Sequence, residues 1–244
     1  LLFDKNTVDR TLDANISLLK KLAHKNGGWS WCEQYREPSM WATREVLWMM
    51  GRLVALGFMP DDGGLRKMIA AALDWDTSET LRDYRKYPDG DYTRYMHLHD
   101  MFARMGVGEP DVRIANATTQ RILSTWKRES LAGKAVAAQV LYKNNYKSVA
   151  RELLASIRQF GEKSPEKGMW FPSLDDNAWY GSMGKLGITS LVLETFAMID
   201  PGCVDIDDLR QWLILQKGSQ DWGSSAAASE VVAAILSTSG KWIT

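Results

Sequence analysis

Ten helical runs of two alternating kinds constrain this chain more than any other feature. Runs at 8–23, 65–85, 112–126, 146–160 and 207–215 carry Lys, Arg and Glu on one side, as in KKLAHK, LRDYRKY and ARELLASIRQ. In the first of them Leu12, Ile16, Leu19 and Leu22 fall at helical spacing. Runs at 37–57, 92–105, 131–142, 182–199 and 224–237 are apolar nearly all round or rich in Ala and Ser, as in LAGKAVAAQVL and GITSLVLETFAMI. A helix apolar on every side is a buried helix. Ser39 and Gly57 bracket the second run as start and stop signals, and Tyr95, Leu98, Phe102 and Met105 share one face of the fourth. β-branched residues are scattered and do not alternate, so few stretches read as strands.

The buried-type runs recur roughly every 45–50 residues, the period of a helical-pair repeat. The connections into them repeat Gly and Trp: NGGWSW (26–31), KGMWFPSLDDNAWYGS (167–182) and SQDWGSS (219–225). The expectation is an all-α fold, an α/α toroid of helical hairpins with buried inner and polar outer helices. Five of the usual six hairpins are visible. The abrupt LLFDKNTVDR start lacks a signal-peptide layout, and the 244 residues read as one toroid domain cut from a larger multidomain protein.

Composition narrows function by exclusion. Thirty basic residues balance thirty acidic ones, leaving no electrostatic footprint for nucleic acid or an anionic membrane. No apolar run is long enough to span a bilayer, since Glu194 interrupts the best one. Cys32 and Cys203 are the only cysteines, too few for a disulfide framework or a four-cysteine zinc site. No phosphate-binding loop or metal-ligand spacing stands out, and no cofactor is expected.

Several stretches resemble a known family: LLFDKNTV (1–8), GGWSW with REPSMWATREVLWMMGRL (27–53), LRDYRKYPD (81–89), GMWF…WYGSMGKLGITSLVLETFAMID (168–200) and VDIDDLRQWLILQKGSQDWGSSAAASEVVAAIL (204–236). Their order and spacing are similar to the thioester-type toroid domain of bacterial alpha-2-macroglobulins, in particular the large envelope proteins of Bacteroidetes. The resemblance implies a non-enzymatic module that helps trap proteases by enclosure. The implied partners are neighbouring domains of the parent chain and target proteases, in the periplasm or cell envelope. The family's thioester motif is Cys-x-Glu-Gln. Here Gln34 follows Cys32 by two, which would shrink and strain the ring, and the stretch lies in a later connection than the family's motif. No thioester is expected, and Cys32 reads as a small, partly buried apolar residue.

Rival readings rest on other residues. Asp205, Asp207 and Asp208 spell the D-x-D-D of terpene cyclases, but at the start of an outer-type helix, where a cap or a favourable dipole explains them. His97 and His99 are two apart on a helix and point to different faces, unlike a metal pair; both read as polar or half-buried. Asp175 and Asp176 precede an inner-type helix, where toroid glycosidases place acids and bases, yet an adjacent pair lacks the separation that chemistry needs. Trp29, Trp31, Trp170, Trp179, Tyr180 and Trp222 occupy equivalent connections. They read first as wedges between helices, and alternatively, with the two aspartates, as a binding surface for a glycan or peptide. Deep carboxylate-lined pockets would favour an enzyme, exposed indoles a binding module, and a filled centre the trap module. An open flank of apolar surface, on the order of several hundred Å², is expected where a sixth hairpin would sit.

Overall fold

A computed structural model describes residues 5–32, 34–58, 63–174, 184–217, 222 and 224–239. Among them are ten α-helices: α1 (Lys5–Leu22), α2 (Met40–Ala55), α3 (Gly63–Lys86), α4 (Thr93–Phe102), α5 (Val112–Thr125), α6 (Leu131–Lys143), α7 (Lys147–Arg158), α8 (Lys185–Ile199), α9 (Asp205–Leu215) and α10 (Ser225–Thr238). Every expected run is helical, and the chain is predominantly α. No described helix is long and apolar enough to cross a membrane. One departure is a short antiparallel hairpin, β1 (Glu162–Ser164) with β2 (Gly168–Trp170).

Local chemistry sets the helix ends. Ser39, Ser130 and Ser224 are N-caps of α2, α6 and α10, accepting from the backbone N–H of Ala42, Gly133 and Ala227. Asp111 does the same for α5, accepting from the N–H groups of Arg113 and Ile114. Gly57 sits just past α2 with φ of 75°, which a side chain would resist. α3 stops at Lys86, and Pro88 bars its continuation past Tyr87. At α9 the expected aspartate cap is replaced: Val204 is the N-cap residue and gives no side-chain bond, while Asp205, Asp207 and Asp208 lie inside the first turn.

The hairpin escaped the sequence reading because Glu162–Ser164 has neither alternation nor β-branched residues. What builds it is the turn. Ser164-Pro165-Glu166-Lys167-Gly168 provides Pro for the bend, a Ser164 hydroxyl that accepts the Lys167 N–H, and a glycine at φ 74° where the second strand begins.

Two compact units make up the chain, Leu1–Gly90 with Leu98–Ile114 and Asp91–His97 with Ala115–Thr244. In the first, α2 packs on α3 around Leu47, Trp48, Met50, Leu65, Ile69 and Leu73, all buried. Asp76 of α3 is fully buried and is held by Arg44 Nε at 2.8 Å, while Arg44 Nη2 donates to Thr80. α1 is less covered than its stripe implies: Ile16 is buried and Leu12 and Leu19 are half-buried, but Leu22 is exposed.

In the second unit α8 is the hub. It packs on α6 on one side and on α10 on the other, with α7 and α9 also against it. α6, α8 and α10 are therefore neighbours in turn, with α7 and α9 beside them. Leu191, Val192, Leu193 and Phe196 of α8 and Ala135, Ala138, Val140 and Leu141 of α6 are buried. α10 is the exception to the all-round burial of the even series. Only Glu230, Val231 and Ala234 are buried on it, and Val232 is exposed, as are Ile214 and Leu215 at the end of α9.

A polar chain runs through this apolar row. His97 Nε2 lies 2.9 Å from Gln139 Oε1, and the Gln139 amide donates at 2.9 Å to Thr195, whose hydroxyl donates to Leu191 O. All three side chains are buried. Against the expectation of half-exposed imidazoles, His97 and His99 are both buried. Their partners differ completely, as the i, i+2 spacing implies. His99 Nδ1 donates to Gly108 O at 2.5 Å, and its Nε2 faces Thr77. Burial, partly opposed by the Gly108 bond, holds the His99 pKa below that of an ordinary histidine.

Candidate functional site

The tryptophans were expected to act alike, and they do not. Trp29 is 3% exposed. Its backbone N–H donates to Thr43 Oγ1 and its indole donates to Leu19 O, a carbonyl in the last turn of α1. Trp222 repeats that device: its indole donates at 2.8 Å to Leu213 O in the last turn of α9. At Leu213 the indole supplies a partner to a carbonyl group at a helix end, where such partners run out, whereas Leu19 O also accepts the Ala23 N–H and the Trp29 indole is its second donor. Trp222 and Trp170 are only half-buried, so their rings also meet solvent. Lys217 and Lys167 lie over them at 5.6 and 5.5 Å. Asp175, Asp176, Trp179 and Tyr180 lie outside the described residues. Trp29 and Trp31 belong to the first unit, Trp170 and Trp222 to the second.

Trp31 is the outlier at 62% exposed. The chain leaves the core at Trp29 and re-enters at Ser39, whose N–H donates to Trp29 O at 2.8 Å. Between them it makes an excursion. Ser30 Oγ donates to Cys32 O, His24 Nε2 lies 3.1 Å from the same hydroxyl, and the Tyr35 N–H also donates to Cys32 O. These bonds bracket Trp31. Its ring stacks on Trp41 of α2 with centroids 4.1 Å apart and planes 17° from parallel. Trp41 is itself 38% exposed and Tyr35 61%. Cys32 is exposed, contrary to its expected partial burial, because it lies on this excursion beyond the Trp29–Ser39 closure. Neither Trp41 nor Tyr35 was singled out in the sequence: Trp41 sits in a run read as buried, and Tyr35 in a loop without pattern.

The D-x-D-D aspartates form a clamp. Asp205, 3% exposed, is paired with Lys163 of β1 and with Arg158 Nε of α7 at 2.5 Å. Lys163 also reaches Asp208 at 2.9 Å, and Asp207 is paired with Arg210. Burial alone would raise the Asp205 carboxyl; hydrogen bonds from Lys163 and Arg158 outweigh it and hold the group below the usual carboxylate range. An acid kept ionised is poorly suited to donating a proton to a substrate. The clamp ties the hairpin to α7 and α9.

A pocket of about 190 Å³ opens where α4 and α6 begin, lined by Asp91, Thr93, Arg94 and Glu129 with apolar Ile122 and Val136. Arg121 Nη1 sits 3.5 Å from Asp91 Oδ1 and 3.4 Å from Glu129 Oε1. No group of three or more His, Cys, Asp or Glu side chains able to hold a metal occurs among the described residues. No protein-family model matches this chain, and no curated protein does either.

Proposed function

We propose that this chain is a non-enzymatic module of a bacterial alpha-2-macroglobulin-type envelope protein, acting in protease trapping by packing against neighbouring domains rather than by covalent capture. The observation that carries the reading is the row α6–α8–α10, in which alternate helices are neighbours and α7 and α9 pack beside them. Such a row is what an arc of the α/α toroid that the resemblance implies would contain. The repeated indole-to-carbonyl bonds of Trp29 and Trp222 support it, because they mark the same point in two repeats. The buried residues between α6 and α8 support a filled rather than wet centre.

The enzymatic alternative finds its best candidates in Asp91 and Glu129. Arg121 touches both, so their nearest oxygens stand no more than about 7 Å apart, and glycoside hydrolysis uses a pair of carboxyl groups roughly 5–9.5 Å apart. The guanidinium occupies the gap that a water or sugar would need. The pocket is also below the roughly 300 Å³ at which small-molecule sites begin.

Two measurements test the proposal. A parent protein carrying this module, cleaved by a protease, should leave that protease active on small peptides and blocked on large proteins. Intact mass of the chain after methylamine treatment should not change. Hydrolysis or cyclisation by the isolated chain, lost in Asp91→Asn or Glu129→Gln, overturns the reading.

A further inference from the structure

We infer that the Trp31–Trp41 stack, with Tyr35, is a binding platform for a neutral carbohydrate chain. The inference is independent of the protease-trap reading. Three large aromatic side chains are displayed within eleven residues, 31–41, and the hydrophobic effect gives no reason to leave them in water. Trp29, two residues earlier, shows that this stretch can bury an indole when the core needs one.

The platform is already ordered. Trp41 covers one face of Trp31 at 4.1 Å, which fixes the plane of the ring, and the side chain remains 62% exposed. The Ser30 and Tyr35 bonds to Cys32 O hold the backbone on either side. Gly27 and Gly28, both at positive φ, seat the root of the loop against Ala71 O of α3 and the Thr43 hydroxyl. A ring held in place before binding loses little entropy on binding.

The surroundings indicate the ligand class. From Ser30 to Ser39 the sequence is Ser, Trp, Cys, Glu, Gln, Tyr, Arg, Glu, Pro, Ser, with no Leu, Ile, Val, Ala or Met. A protein-docking patch has an apolar centre to which aliphatic side chains contribute. Here the aromatic residues share their loop with amide, guanidinium and carboxylate side chains: Gln34, Arg36 and Glu37 are all exposed. A pyranose ring has the matching construction, with a flat face of C–H bonds and a rim of hydroxyl groups. The face would lie on Trp31, and the hydroxyls would exchange hydrogen bonds with the polar side chains. Net charge is zero and the loop offers both signs, which suits a neutral sugar better than an anionic one.

The experiment is calorimetric titration of the 244-residue chain with cellohexaose, xylohexaose, maltohexaose and chitohexaose. At least one should bind, and Trp31→Ala should weaken that binding about tenfold or more, the scale of losing a hot-spot residue. Trp31→Phe should retain part of it, and Trp41→Ala should fall between. Thermal melting of Trp31→Ala should match the parent, because the ring is mostly in solvent, so lost binding cannot be ascribed to unfolding. The inference is overturned if none of the four sugars binds at millimolar concentration, or if binding ignores Trp31→Ala. It is equally overturned if the sugars fail and sedimentation shows Trp31-dependent self-association, which would make the stack a protein contact.

Discussion

The connections into α2 and α8 begin alike and end differently. Each has a glycine at positive φ two residues before a tryptophan, Gly27 before Trp29 and Gly168 before Trp170. Each glycine presses on the backbone of the next odd-numbered helix. A Cβ on Gly27 would stand 2.2 Å from Ala71 O of α3, and one on Gly168 would stand 2.1 Å from Asp208 O of α9. The two tryptophans then part company. Trp29 goes into the core, whereas on β2 the alternation of a strand sends Met169 and Phe171 inward and leaves Trp170 half-buried. The close backbone approach is what the two connections share, and the aromatic residue follows whatever local backbone it is given.

The largest effect should come from Trp29→Ala, about 3–5 kcal/mol by chemical denaturation, because a buried ring and its bond to Leu19 O are both lost. A cost as small as that of Trp170→Ala would erase the contrast between the two connections. Gly27→Ala and Gly168→Ala should each cost at least about 2 kcal/mol, from positive φ and a collision with backbone that cannot swing aside. If only one of them does so, the equivalence of the two turns fails.

Asp205→Asn should cost about 2 kcal/mol and act on the second connection alone, by freeing Lys163 and Arg158. The sign of its pH dependence is fixed. Asp205 has a depressed carboxyl pKa in the folded chain, so its stabilisation is complete above the unfolded carboxyl range and is lost as pH falls through the folded value. The variant should lack that acid-side loss. His99 acts in another window. Its folded pKa lies below 6.5, so stability should decline as pH drops below that value, and His99→Gln should flatten the decline. Trp170→Ala should cost only about 1–2 kcal/mol, in proportion to a half-buried ring. Trp222→Phe, which removes one indole bond and little volume, should cost about 1 kcal/mol.

The helices were legible because period and capping are local: Ser39 starts a helix in the sequence and in the structure, and the structure repeats its cap at Ser130 and Ser224. The hairpin was hidden, since strands of three residues carry no periodic signal and only the Ser164–Gly168 turn announces them. The exposure of Trp31 was hidden too. Trp29 and Trp31 are identical side chains two residues apart, and it is the tertiary bonds of Trp29, to Thr43, to Leu19 O and from the Ser39 N–H, that hold that one inside. Trp41 was misread for a related reason. Its run looks buried on all sides, but α2 is exposed where its first turn meets the excursion. The clamp at Asp205 could be placed on an outer-type helix from sequence, but its partners lie 42 and 47 residues away.

The bonded line from His97 through Gln139 to Thr195 has a consequence for how the row α6–α8 finds its register. Alanine and leucine faces are smooth and nearly self-similar from turn to turn, so two such helices could settle one turn out of step, a slide of about 5.4 Å, at little apolar cost. Such a slip would break the Gln139–Thr195 bond and leave the buried Gln139 amide without its acceptor, at about 1–3 kcal/mol, while Thr195 keeps its bond to Leu191 O within α8. That one polar contact thus works as the tooth of a ratchet, adding little to the strength of the packing while rejecting its near-copies.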